Sequence, residues 1–391
     1  RGARRPRRRH RPRWQTATPT LALGALLAML ATASVSVQDA QRTSGLGPAL
    51  GWSGTTAVTV RITSSARPLA SGAPRDGGRV RLEGVLTQTG VRGVHTQTQA
   101  PVVVIGPTSW ADLVPGTTVS AAAHLRALPR GERPVAILQA QDPTTVAGAP
   151  WWQQSAHTVR ATLVAGTAGL PPHAGLLPGI GVGQDTQVPP ALADAMRQVS
   201  LGHLLAVSGA HVAIVLTGVL AASAGLRPGV RASFCLTVLA GLVILVGPDP
   251  SVIRAAAMGS VVVLALLLGR GAAALPALAG AVVVLVLADP WIAREAGFAL
   301  SVCATAGLIL GAGPLSDLLV RKRCPPLLAP AIAIPLAAQL ACLPVLVLLD
   351  PAIATYGVLA NALVAPVIPP LTVLVLTAAV LGPVWPGGAH A

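Results

Sequence analysis

From residue 201 onward the chain is a succession of apolar runs, each about 17 to 25 residues long, separated by short connections that carry the charge. A run of that length crosses a hydrocarbon core of about 30 Å as a helix. Runs without strand-like alternation read as helices, because in lipid each backbone polar group must be satisfied inside its own segment. Only 10% of the 391 residues are charged, against about 25% in soluble domains. A polytopic membrane protein is the class that fits.

The sequence predicts spans over 203–224, 232–247, 251–269, 273–288, 292–312, 327–348 and 355–382, a bundle of about seven helices within 201–391. The connections alternate in chemistry. Arg227 with Arg231, then Arg270, then Arg321-Lys322-Arg323 form one set. Pro248-Asp249-Pro250, Asp289-Pro290-Trp291 and Asp350-Pro351 form the other. By the positive-inside rule the basic set faces the cytoplasm. Eight arginines fall in residues 1–13. They mark 1–16 as a basic cytoplasmic segment, followed by a transmembrane helix over 17–37 that reads as an uncleaved anchor rather than a signal peptide. The part between 50 and 200 is then extracytoplasmic. Lys322 is the only lysine and has arginine on both sides, so this stretch holds no Walker A loop.

Residues 50–146 change character. Short strands are predicted at 56–63, 78–90, 95–106, 116–127 and 133–140, with turn residues between them. Five strands at this spacing suggest an OB-like β-barrel. Nine arginines against five acids favour a polyanion mildly, but Trp52 and Trp110 are the only aromatic residues for base stacking. A structural or backbone-tracking barrel is the better reading. Residues 150–200 follow as an amphipathic interfacial helix and loop. Trp152, Ala156, Val159 and Leu163 recur at helical spacing, with Gln153, His157 and Arg160 on other faces.

Several polar groups sit where lipid would penalise them. Arg254 lies four residues into an apolar helix, where it either snorkels or faces a phosphate path. Arg294 and Glu295 either pair with each other or line a wet cavity. Gln339 and Asn361 fall inside spans, where interhelical hydrogen bonding is the default. Ser208, Gly209 and His211 form a polar knot at the mouth of a span. Gly209 permits close approach or a helix break. A Ser and a His three apart share a helical face, yet there is no GxSxG elbow and no orienting acid, so no residue is assigned a catalytic role. His203 and His211 lack a third metal ligand, and no metal or other cofactor is implied. Cys235, Cys303, Cys324 and Cys342 form no CxxC pair and read as buried small hydrophobes.

In order, LLPGIGVGQD (176–185) and LGHLLAVSGAHVAIV (201–215) resemble the signature of the ComEC family of competence proteins. So do PSVIRAAAMG (250–259) and ADPWIAREAGFALSVCATAGL (288–308), and then IPLAAQLACLPVLVLL (334–349) with YGVLANALVAPVIPP (356–370). Ala210 replaces the leucine of the usual Ser-Gly-Leu-His, and Gln184-Asp185 replaces an acidic-basic pair. The resemblance implies a polytopic α-helical membrane protein with an extracytoplasmic OB-like β-barrel domain near the N-terminus. Its expected function is to pass single-stranded DNA across the bacterial cytoplasmic membrane in natural transformation. Ser208, Gly209, His211, Arg254, Gln339 and Asn361 are the candidates for lining that path. Membrane lipid, a DNA receptor outside, a helicase-like ATPase inside and a second copy of the chain are the expected partners. The chain reads as a fragment, because many family members end in a metallo-β-lactamase-like domain and no HxHxDH occurs here. Two alternatives use the same residues: a small-solute or ion transporter, and an intramembrane hydrolase built on Ser208 and His211.

Overall fold

The computed structural model describes residues 14–69, 78–129, 131–205, 207–247, 249–267, 274–349 and 356–382. The arginine-rich stretch 1–13, Arg270 and the Asp350-Pro351 connection lie outside them.

Helix α1 (Trp14–Thr43) leads through the short α2 (Gly47–Leu50) into a sheet domain. Its strands are β1 (Thr56–Ile62), β2 (Arg67–Pro68), β3 (Arg79–Val91), β4 (Val94–Pro107), β5 (Thr118–Ala127), β6 (Ala136–Ala140) and β7 (Thr144–Ala147). The five predicted strands are present within two or three residues at each end. Sequence reading missed β2 and β7, whose two and four residues carry no detectable period. The order runs β1-β3-β4-β6-β5, and β5 pairs β1 again, so the sheet closes on itself. Among the described residues only β4 and β6 run parallel; the other pairs are antiparallel.

Alternation explains the closure. Val58, Val60 and Ile62 on β1 point inward with Leu82, Leu86, Val102, Val104, Val119 and Leu138, all at most 1% exposed. Irregular register at Thr59/Val60 and at Leu86/Gln88 bends the long strands. Trp110 plugs one end, fully buried, and its Nε1 donates to Gln141 O at 2.8 Å. The indole lies against Gly106, where any Cβ would strike the ring.

After the sheet come α3 (Trp151–Thr167), α4 (Leu176–Val182) and α5 (Pro190–Gln198). Trp151 is 75% exposed and meets Trp152 edge-on. Arg160 departs from its expected place on a polar face. It is buried and donates from Nη1 to Leu245 O at 3.3 Å. That carbonyl belongs to a helix C-terminus, where the last carbonyls lack intrahelical donors. The glycines of α4 serve packing: a Cβ on Gly179 would strike Leu205 O, one on Gly181 would strike Val375, and Gly183 ends the helix in the left-handed region (φ +72°).

The remainder comprises α6 (Gly209–Ala222), α7 (Pro228–Val246), α8 (Pro250–Leu267), α9 (Ala274–Ala288), α10 (Ala296–Arg321), α11 (Ala329–Leu349), α12 (Gly357–Val364) and α13 (Ile368–Leu381). Among the described residues α7, α10 and α11 are long and apolar enough to cross a membrane singly. Three spans of the bundle differ most from expectation. The helix expected from residue 203 starts at Gly209, because 202–204 forms a 3-10 turn; at 14 residues it is ~21 Å long, short of a ~30 Å core. The span expected over 355–382 is two helices bent by 57° after Val364. The span expected from 292 begins at Ala296 after a 3-10 turn (Pro290–Arg294) and runs on to Arg321. In the α10–α11 hairpin, Gly307 and Gly311 admit Ala341 and Ala337 at close range. Cys235 and Cys342 are buried as expected, whereas Cys303 and Cys324 are half-buried.

Candidate functional site

The start of α6 is fixed by a reciprocal cap. Ser208 has extended backbone (φ −109°, ψ 171°), and its N–H donates to His211 Nδ1 at 2.9 Å. Ser208 Oγ also lies 2.9 Å from that nitrogen. Because Nδ1 accepts the backbone N–H, the neutral imidazole carries its proton on Nε2. His211 is 1% exposed, and Nε2 has no hydrogen-bond partner among the described residues. The Ser–His proximity therefore has a structural cause, a capping box with His in place of the usual Glu. His203 is engaged elsewhere, its Nδ1 3.0 Å from Ser200 O. Among the described residues no group of three His, Cys, Asp or Glu could hold a metal ion.

Helix α8 packs directly beside this cap. Ser251 Oγ donates to Val207 O at 2.9 Å, and Gly209 faces Ala255. Arg254, one turn into α8, is 6% exposed and does not snorkel to water. It reaches Glu295 Oε2 at 3.9 Å. Ser208, Gly209, His211 and Arg254 thus share one end of the α6–α8 pair.

Gln339 and Asn361 form a second cluster. Asn361 Nδ2 donates to Gly357 O at 2.8 Å and reaches Ser200 O at 3.5 Å. A Cβ on Gly357 would lie 2.9 Å from the Ser200 side chain and 3.1 Å from Gln339 Oε1. Ser200 occupies the left-handed region (φ 56°). Around Gly357 these residues seat the loop before α6 on α11 and α12, with Asn361 bonded to its own helix and to that loop.

Sequence reading missed the seam between sheet domain and helices. Arg294 and Glu295 are not partners of each other: Arg294 donates to Gly131 O at 3.1 Å, while Glu295 accepts from Arg133 at 2.9 Å. Arg133 also meets Asp289 at 3.0 Å. Arg42, at the end of α1, lies 3.6 Å over the Trp291 ring and donates to the carbonyls of Glu132 and Arg133. Burial lowers the Arg42 pKa; Asp39 and Asp289 oppose this without cancelling it, and nearby Arg133 adds to it. Arg67 of β2 meets Asp249 at 3.5 Å just before α8. Helix α1 adds Ser34 and Gln38, which donate to the last carbonyls of α9. The one available signal was electrostatic: acidic connections at 249 and 289 on the same predicted side as an arginine-rich sheet domain.

Two grooves open on the helical surface. One, of about 450 Å³, lies between Trp152 and Leu245. The other, of about 250 Å³, lies between Thr162 and Leu374. Both are lined mainly by apolar side chains, and neither includes any of the six path candidates.

Residues 180–391, more than half of the chain, match the family described as Competence protein. ComE operon protein 3 of Bacillus subtilis (strain 168) is 34% identical over 146 residues, 36% of this chain and 19% of that relative. The match thus spans about a fifth of the relative's length. No solved structure matches the chain.

Proposed function

The chain belongs to the ComEC family of competence proteins, and on that premise we propose that it forms a channel for uptake of single-stranded DNA across the cytoplasmic membrane. One observation carries the reading: a buried guanidinium, Arg254, beside a helix that begins short of a full crossing. Ionisable groups within membrane spans are costly and persist where function needs them. Interrupted helices mark solute paths in transporters, because freed backbone and polar caps then line a cavity. The start of α6 and the α12–α13 bend are two such interruptions.

DNA carries one negative charge per nucleotide, so its lane must be wet and preferably cationic. In the proposed mechanism Arg254 attracts phosphate. Ser208 and His211 replace water at the mouth, Gly209 allows α6 and α8 to part, and Gln339 with Asn361 shape the second break. His211 and Arg254 are packed in this arrangement, so it corresponds to a closed lane that opens by separating α6 from α8. The closed five-stranded sheet, with its single parallel pair, supports an OB-like barrel held outside by α1. In this reading α3 lies at the outer interface, and the arginine-rich start of the chain lies in the cytoplasm. An outer DNA receptor, an inner helicase-like ATPase and a second copy of the chain complete the machinery.

Cells that lack the gene are expected to lose uptake of a labelled single strand and to regain it on complementation. Unchanged uptake, with loss of small-solute flux instead, would support the solute-transporter reading.

A further inference from the structure

Four guanidinium groups and two carboxylates meet where the β5–β6 connection touches the helices. Two of the arginines are well satisfied: Arg294 has Gly131 O, and Arg133 holds both Asp289 and Glu295 at 3.0 and 2.9 Å. Arg42 spends Nη2 on two carbonyls and lies over the Trp291 face, while its Nε and Nη1 are buried with no hydrogen-bond partner among the described residues. Arg254 has neither carbonyl nor ring, only a distant carboxylate among the described residues. Its ion-pair contact is Glu295 at 3.9 Å, about an ångström beyond a charge-assisted hydrogen bond of ~2.7–2.9 Å. Its Nε is buried with no hydrogen-bond partner among the described residues. Buried charges are normally paired and hydrogen-bonded, so this guanidinium has donors to spare.

We propose that the seam is a binding site for one backbone phosphate of the incoming strand, kept closed by Glu295. The phosphate lodges between Arg133 and Arg254, and the Glu295 carboxylate yields its place. The inference rests on the DNA-uptake reading and deepens it by naming a contact. A phosphodiester offers two equivalent oxygens, which match the guanidinium fork as a carboxylate does. The exchange puts one negative charge in place of another between the two guanidinium groups. It also has room to occur, since the Glu295 and Arg133 side chains are 27% and 40% exposed. Arg133 belongs to the sheet domain and Arg254 to α8. Exchange therefore hands the bridge between them from Glu295 to the phosphate, and frees the Glu295 carboxylate, at the start of α10, from both arginines.

The test uses the full chain in phosphatidylcholine nanodiscs, titrated with a short labelled oligothymidylate over a range of salt. Glu295→Gln removes the resident competitor and is expected to tighten binding up to about fivefold, the scale of a half-exposed ion pair. Arg254→Gln is expected to weaken it at least about tenfold, the scale of a buried charged contact. It should also lower the salt slope by about 0.7, one phosphate contact on a single strand. Misfolding can weaken binding but cannot tighten it, so Glu295→Gln keeps the test decisive. Oligonucleotide binding by the wild type that neither variant alters overturns the seam site and leaves DNA handling intact. No binding by the wild type, together with normal DNA uptake in a deletion strain, overturns both. A second preparation containing phosphatidylglycerol separates the phosphate sources. If anionic lipid abolishes the difference between wild type and Glu295→Gln, the site takes headgroups and the DNA assignment falls.

Discussion

Replacing Arg254 with alanine is expected to cut uptake of single-stranded DNA at least about thirtyfold, with little change in the amount of folded protein. Loss of a buried charged partner costs about 2 to 5 kcal/mol, and about 1.4 kcal/mol is a factor of ten. The effect falls on transport because Arg254 contributes little to the resting fold. Its one ion pair among the described residues is long, at 3.9 Å, and Glu295 has Arg133 at 2.9 Å to retain when Arg254 is gone. Removing an under-partnered buried charge even relieves a desolvation cost. Uptake of labelled strand, measured against membrane protein amount, checks the prediction. Lysine at 254 should restore part of the uptake as a point charge, without the bidentate fork. Normal uptake at normal protein level would remove Arg254 from the mechanism.

Replacing Trp110 with alanine is expected to destabilise the sheet domain by about 3 to 5 kcal/mol, the usual cost of emptying a buried tryptophan site. The indole is fully buried, lies against Gly106 and satisfies Gln141 O. Removal leaves a cavity and an acceptor without its donor. Collapse around the gap is limited, because β3 and β4 are fixed by a long register from Arg79↔Pro107 to Val91↔Val94. Hydrogen exchange in the intact chain reads the effect. Amides of β3, β4 and β6 should open roughly two to four orders of magnitude more often, while those of α7 and α11 keep their protection. Equal loss in both regions would mean that the sheet domain and the helices unfold as one unit.

The strands were legible because alternation on a half-buried sheet is a local property: Val58, Val60 and Ile62 declare their face without help. Most helices were legible from length and hydropathy. The breaks were less so, since an apolar run reads the same whether straight or bent. Only Pro366, with Pro369 and Pro370 just beyond it, marks the bend near 365–367, and only Ser208 and Gly209 the late start of α6. Arg254 was legible as an anomaly, but its surroundings were not. Its partner Glu295 is 41 positions away in sequence and Arg133 is 121, and no single-chain pattern encodes such contacts. Likewise, Arg160 sat where an amphipathic wheel puts solvent, because its partner is a carbonyl on α7.

Photo-crosslinking during uptake tests most directly whether the strand passes the mouth of α6. A photoreactive residue replaces Ser208, which is half-buried beside α8, or Leu310, which is 61% exposed on the apolar face of α10. Illumination while a labelled single strand is entering should give DNA adducts at 208 and none at 310. Continued uptake with no adduct at 208, or with equal yields at both positions, would contradict a lane through this part of the bundle.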